Sequence, residues 1–208
     1  MDRRHLLLFV GLVALAACNP EPPPAAAERR PAAAPARHAQ PTHIDSLIPR
    51  DEALRRFRRG LTRVDRLNHG LSSQDALVQA FMRALERRDS TALGRIVLSK
   101  AEFAYLYYPW SPQGLPPYDL NPDLMWFMLS LQSDKGVRRA LTERGGRPLH
   151  GAGFRCDGKP SEQGENIIWG PCVLRWVKAQ GDTVEERLFG PILERGGRYK
   201  FVSYANKL

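Results

Sequence analysis

A chain of 208 residues with 43 % hydrophobic composition can bury one sizeable core, and a formal charge of +9 makes it basic. After the first residues no stretch stays apolar for the roughly 20 positions that a bilayer-spanning helix needs, which excludes an integral membrane body. No nucleic-acid recognition motif accompanies the basic charge, so no nucleic-acid partner is expected.

The chain opens Met1-Asp2-Arg3-Arg4-His5 and runs apolar from Leu6 to Ala17, interrupted only by Gly11. A positive start followed by about a dozen apolar residues has the form of a signal peptide. The run ends Leu15-Ala16-Ala17-Cys18-Asn19, which resembles the lipobox of bacterial lipoproteins. That resemblance implies removal of residues 1–17, lipidation of Cys18 and a lipid-anchored place in the bacterial cell envelope. Asn19 is not the aspartate that marks inner-membrane retention, which implies the outer membrane in a host with two. An ordinary signal peptide with Cys18 incidental is the alternative, and Arg3-Arg4 also resembles a twin-arginine export signal. Each buried methylene contributes about 0.8 kcal/mol, so several acyl chains on Cys18 would hold the protein at the membrane permanently.

Residues 18–41 are the lipidated cysteine and a stem rich in proline and alanine, with no bulky apolar side chain from Pro20 to Pro41. Such a segment cannot offset its ordering entropy by burial, and clustered prolines favour an extended spacer.

The remainder, Thr42 to Leu208, is expected to form a single domain. Arg50 to Leu67 sets Leu54, Phe57, Leu61 and Val64 at helical spacing. Ser72 is placed to cap a second helix that uses Leu77 or Val78, Phe81 and Leu85 and ends near Arg87-Arg88. Thr91 to Leu98 predicts a third. Ser99 with Glu102 forms a capping signature that opens a helical turn through Phe103, Leu106 and Tyr107, stopped by Pro109. Asn121-Pro122 reads as cap and first residue of a longer helix reaching Arg144, with Leu124, Phe127 or Met128, Leu131 and Leu141 inward and Gly145-Gly146 as the stop. The period then changes to two, predicting strands at Leu149–Cys156, Cys172–Lys178, Val184–Glu194 and Tyr199–Tyr204. An α+β fold follows, with N-terminal helices packed on one face of a C-terminal antiparallel sheet.

The run Ala80-Phe81-Met82-Arg83-Ala84-Leu85-Glu86-Arg87-Arg88-Asp89 with Ala92-Leu93, and the terminal Arg195-Gly196-Gly197-Arg198-Tyr199-Lys200-Phe201-Val202, resemble the opening helices and last hairpin of NTF2-like (nuclear transport factor 2-like) domains. The resemblance implies a cone whose concave sheet encloses a cavity.

Cys18 aside, Cys156 and Cys172 remain as a pair flanking a polar loop from Asp157 to Gly170. In an exported domain they are expected to form a disulfide. No metal site is expected, because two cysteines lacking nearby histidines do not supply four ligands. No dinucleotide, phosphate-loop or hydrolase motif is present, so no cofactor and no catalytic residue is implied. His150 is the one histidine on a predicted strand, and a lone histidine carries no mechanism.

The aromatic cluster is the most suggestive feature. Glu102, Tyr105, Tyr108 and Trp110, with Trp126, combine apolar bodies with polar handles suited to a pocket or an interface. They are the candidate site for a small ligand or an envelope protein, with Glu102 orienting a polar group; the alternative is that they cap the sheet. A Glu/Tyr acid–base pair for a hydrolase or isomerase is the catalytic variant. A second candidate is the arginine-rich first helix, where Arg55, Arg56 and Arg59 offer a face to anionic lipid or polymer, as in a structural or assembly lipoprotein. These features together favour a non-enzymatic binding lipoprotein.

Overall fold

The structure, a computed structural model, describes residues 48–149, 153–177 and 181–205. Cys18, the stem and His150 lie outside the described residues. Ser46–Leu208 forms one compact unit.

Helix α1 spans Arg50–Phe57 and buries Ala53, Leu54 and Phe57. The expected continuation to Leu67 does not form. Gly60 adopts a φ of 76°, a left-handed conformation that ends a helix and turns the chain. Helix α2 (Gln74–Glu86) is capped by Ser73 rather than Ser72, the side chain accepting from the Ala76 N–H, and it buries Leu77, Val78, Phe81, Met82, Ala84 and Leu85. Helix α3 (Ser90–Arg95) is capped by Asp89. Helix α4 (Lys100–Glu102) starts at a complete Ser99/Glu102 capping box and passes into a π-helical turn, Phe103–Tyr107. Helix α5 (Pro122–Glu143) starts at the Asn121 cap with Pro122 as its first residue.

Of the residues predicted to face inward on α5, Leu141 packs against the core, but the others point outward. Leu124, Phe127, Met128 and Leu131 are exposed, and Met125, Gly136 and Ala140 are buried in their place. Gly136 decides the orientation: a Cβ there would collide with the Tyr204 carbonyl oxygen. Only glycine permits the helix to approach the C-terminal chain so closely.

Among the described residues seven strands follow: β1 (Gly153–Cys156), β2 (Ser161–Gln163), β3 (Asn166–Trp169), β4 (Cys172–Val177), β5 (Thr183–Glu186), β6 (Ile192–Arg195) and β7 (Arg198–Phe201). They make two separate antiparallel sheets, β1-β4-β5 and β2-β3-β6-β7. The single expected strand from Val184 to Glu194 is thereby split between sheets. The polar segment between the two cysteines is not a loop but contains the β2–β3 hairpin. Its turn is Gly164-Glu165, Gln163 pairing with Asn166 and Gly164 holding a φ of 62°, as a two-residue hairpin with leading glycine requires.

This topology overturns the NTF2-like expectation. Both sheets are open and uncurled, and neither encloses a cavity as a cone does. The four-stranded sheet is instead filled on both faces. Ile192 and Phe201 belong to one core cluster, with Phe81, Leu85, Leu174 and Trp176. Their chain neighbours Leu193 and Val202 belong to another, with Leu54, Phe57, Phe103 and Leu106. Successive strand residues point to opposite faces, so α2, α3 and the three-stranded sheet cover one side, and α1 and the π turn cover the other. The α+β class and helix-before-strand order stand, but the helices cover both faces rather than one.

Cys156 and Cys172 form a disulfide. They are cross-strand partners at the end of the β1–β4 ladder, on either side of the β2–β3 hairpin.

Candidate functional site

The π turn places the aromatic cluster, and its carbonyls explain what gathers around it. The Tyr108 N–H donates to the Phe103 carbonyl, so it is not available to Ala104. The next residue, Pro109, has no N–H to give. The Ala104 carbonyl is therefore left without a helical donor, and Arg58 supplies one: its Nε and Nη2 donate to that oxygen at 3.1 and 2.9 Å. The Leu106 carbonyl accepts from the buried Asn166 side-chain amide at 2.8 Å. Arg50 donates to the Pro109 and Gly114 carbonyls at 3.0 and 2.5 Å. Cations and amides collect at the negative, carbonyl-bearing end of an interrupted helix, where backbone groups most need donors.

Around this framework lies an open cleft of about 430 Å³, lined by Arg58, Arg63, Asp65, Tyr105, Glu165 and Arg195, with Val64 and Leu106. The Arg58 guanidinium lies 4.5 Å from the Tyr105 ring centre, a cation–π contact. Arg195 donates to the Asn166 side-chain oxygen at 3.1 Å and pairs with Glu165. Arg63 is exposed, and among the described residues no hydrogen bond or ion pair holds it. Burial lowers the Arg58 pKa, Tyr105 opposes that shift, and Arg63 and Arg50 lower it further. Three guanidiniums thus share a small region in which only Arg195 has a carboxylate partner. The cleft has unspent donors and excess positive potential; it carries no nucleophile paired with a base.

The sequence-predicted residues divide. Glu102, expected to face a ligand, is fully buried. Its carboxylate accepts from the Asn68 and Ser99 N–H groups, each at 2.7 Å, and from Lys200 Nζ at 2.8 and 3.1 Å. Lys200 is buried too, and its pKa is lowered by desolvation against the support of Glu102. The carboxylate is an internal strut, and the role of ligand-orienting or acid–base group is corrected accordingly. Tyr108 is buried, its hydroxyl donating to the Leu120 carbonyl at 2.8 Å. Trp126 packs its ring 5.2 Å from that of Phe103 and borders a separate small cavity of about 110 Å³ with Val97, Leu98 and Val202. Trp110 is exposed on one side and rests over Gly164, where a Cβ would run into the indole. Only Tyr105 of the five reaches the cleft.

The arginine face is equally selective. Arg55 and Arg56 both pair with Glu52, Arg56 at 2.6 Å, and that hydrogen bond holds the Glu52 carboxyl below its ordinary pKa. Arg59 is exposed. Arg58, Arg63, Arg195 and Glu165 are cleft residues that the sequence alone does not single out. Pro109 following the helical run is the readable signal for an arginine-capped end, and Gly164-Glu165 is the signal for the hairpin that brings Glu165 and Asn166 to it.

Among the described residues, no helix is long and apolar enough to cross a membrane. No family model, curated protein or solved structure matches this chain.

Proposed function

We propose that the protein is a lipid-anchored envelope protein, tethered through Cys18, whose folded domain binds an anionic group without catalysing a reaction on it. The tether rests on the lipobox-like Leu15-Ala16-Ala17-Cys18 and the proline-rich stem. The binding reading is carried by one observation: Arg63 lines the cleft beside Arg58 and Tyr105 with no partner of its own among the described residues. A guanidinium matches the planar, paired acceptors of phosphate or carboxylate. Tyr105 contributes a face for the apolar part of such a ligand, and the Arg195–Glu165 pair completes the lining. A phosphate- or carboxylate-bearing small molecule, or the same group on an envelope polymer, fits this chemistry.

Isothermal titration of the mature protein with inorganic pyrophosphate tests the reading. Charge-assisted hydrogen bonds contribute about 1.5–3 kcal/mol each, so Arg63→Ala should weaken binding by about tenfold or more. Failure of the wild type to bind, or loss only with Arg55→Ala and Arg56→Ala, would refute the cleft and move the site to the helix face. Mass spectrometry of the mature chain, expected to show an acylated Cys18 at its start, tests the tether separately.

A further inference from the structure

Helix α5 carries its strongest apolar pattern on the outside. Leu124, Phe127, Met128 and Leu131 are 49, 60, 42 and 51 % exposed. Their spacing of three and four residues draws one stripe along the helix. Its other side supplies the contacts the fold needs, with Gly136 against the Tyr204 carbonyl and Met125 in the core. Single exposed apolar residues are ordinary. Four in one stripe expose on the order of 400 Å² of apolar surface, the size of patch that serves as an interface on otherwise polar proteins.

The stripe is symmetric about its own midpoint. Reversing the helix about the point between Phe127 and Met128 exchanges Leu124 with Leu131, and Phe127 with Met128. The flanking charges are unequal across the same point, acidic before it and mainly basic after it, with Asp134 as the exception. Asp119 and Asp123 lie on the N-terminal side and Lys135 and Arg138 on the C-terminal side, all exposed and without ion-pair partners among the described residues. Asp134 falls opposite Asn121, whose side-chain oxygen caps the Asp123 N–H at 2.9 Å, leaving its amide nitrogen free to donate.

We infer that this face pairs with the same face of a second copy, two α5 helices running antiparallel about a twofold axis between Phe127 and Met128. An isologous contact requires a self-complementary surface, and this stripe with its charged ends is one. About that axis Asp123 of each copy faces Gln132 of the other, within about a turn of Lys135 and of Asp134, so the acidic end of one copy adjoins the net basic end of the other, whereas parallel pairing would oppose acid to acid and base to base. A lipid surface suits the stripe less well, because its N-terminal end is flanked by the carboxylates of Asp119 and Asp123, whereas interfacial helices flank their apolar face with lysine and arginine. Two such patches bury about 800 Å², below the roughly 1,200 Å² at which stable specific pairs begin, so the dimer is a weak and reversible one.

Cysteine cross-linking in cells that produce the full chain tests the pairing and its direction. Leu124→Cys and Leu131→Cys chains, tagged to differ in size, are oxidised with copper phenanthroline separately and together, with the chain lacking an added cysteine as control. The mixed pair should link, and each variant alone should not. Lys135→Glu in both chains should cut the mixed yield about tenfold, and adding Asp123→Lys to both should restore it, an outcome that a folding defect would not produce. Equal self-linking of each single variant, no linking in any combination, or cross-links that survive Lys135→Glu unchanged would overturn the inference. Partition of the protein onto phosphatidylglycerol vesicles that Phe127→Asp abolishes, without any mixed cross-link, would assign the stripe to lipid instead.

Discussion

Glu102 is where three segments meet. Its two oxygens hold Ser99 at the start of α4, Asn68 in the segment leading to α2, and Lys200 on β7. Both charges are almost wholly removed from water, the side chains being 3 % exposed for Lys200 and 0 % for Glu102. A pair so buried adds little over an apolar pair of the same shape, yet removing one member leaves the other charge stranded. Glu102→Gln should therefore destabilise the domain by about 3–5 kcal/mol, read as a lower urea midpoint with an unchanged slope. A loss of ligand binding with stability intact would show that the carboxylate serves the cleft after all. The Ser99/Glu102 capping signature is readable from the sequence, because a cap is a local matter of three residues. Its partner Lys200 lies 98 positions away, and no local pattern records that the last strand passes over the start of α4.

Among the elements, α5 shows most clearly where periodicity informs and where it misleads. Cap, first proline and stop all follow from short-range chemistry, and the helix runs close to its expected bounds. The direction it faces does not. A stripe of leucine, phenylalanine and methionine reads as a core face, but the core face is a second apolar one, Met125, Trp126, Leu129, Val137, Ala140 and Leu141, beside Gly136, where the missing Cβ admits the C-terminal chain. Gly136→Ala places a methyl group against the Tyr204 carbonyl with nowhere to go, and the helix must lift. Overpacking of this kind costs typically about 1–3 kcal/mol, and backbone contact puts this site at the upper end. Thermal unfolding should record that loss, whereas the same change at Gly94, where a Cβ meets nothing within 4 Å, should be neutral or slightly stabilising. Equal effects at the two sites would mean that Gly136 does not set the orientation of α5. The hairpin β2–β3 escapes sequence reading for a different cause: its strands are three and four residues long, too short for alternation to stand out from a polar loop.

At the level of the whole molecule, two open sheets replace the expected cone because strand pairing is decided at long range. β3 pairs with β6 rather than with β4, its neighbour in sequence, and the disulfide between β1 and β4 encloses the segment that joins the other sheet. Both faces of the four-stranded sheet are covered by core side chains, so neither is the bare concave wall that a cone presents. The proposed binding site is at the rim, where Arg58, Arg63, Tyr105 and Arg195 line the cleft beside the π turn. Each of these is separately legible as a residue type, but their meeting depends on Asn166 and Glu165 arriving from the hairpin. This rim, and not the arginine face of α1, is the proposed receptor for the anion. The most direct test follows the arginine side-chain N–H signals by nuclear magnetic resonance while pyrophosphate is added to the labelled mature protein. The Arg58, Arg63 and Arg195 signals should move together and saturate, with Arg55, Arg56 and Arg59 responding only as they do to added salt. Movement confined to those last three, or spread evenly over every arginine, would contradict a binding site at the rim.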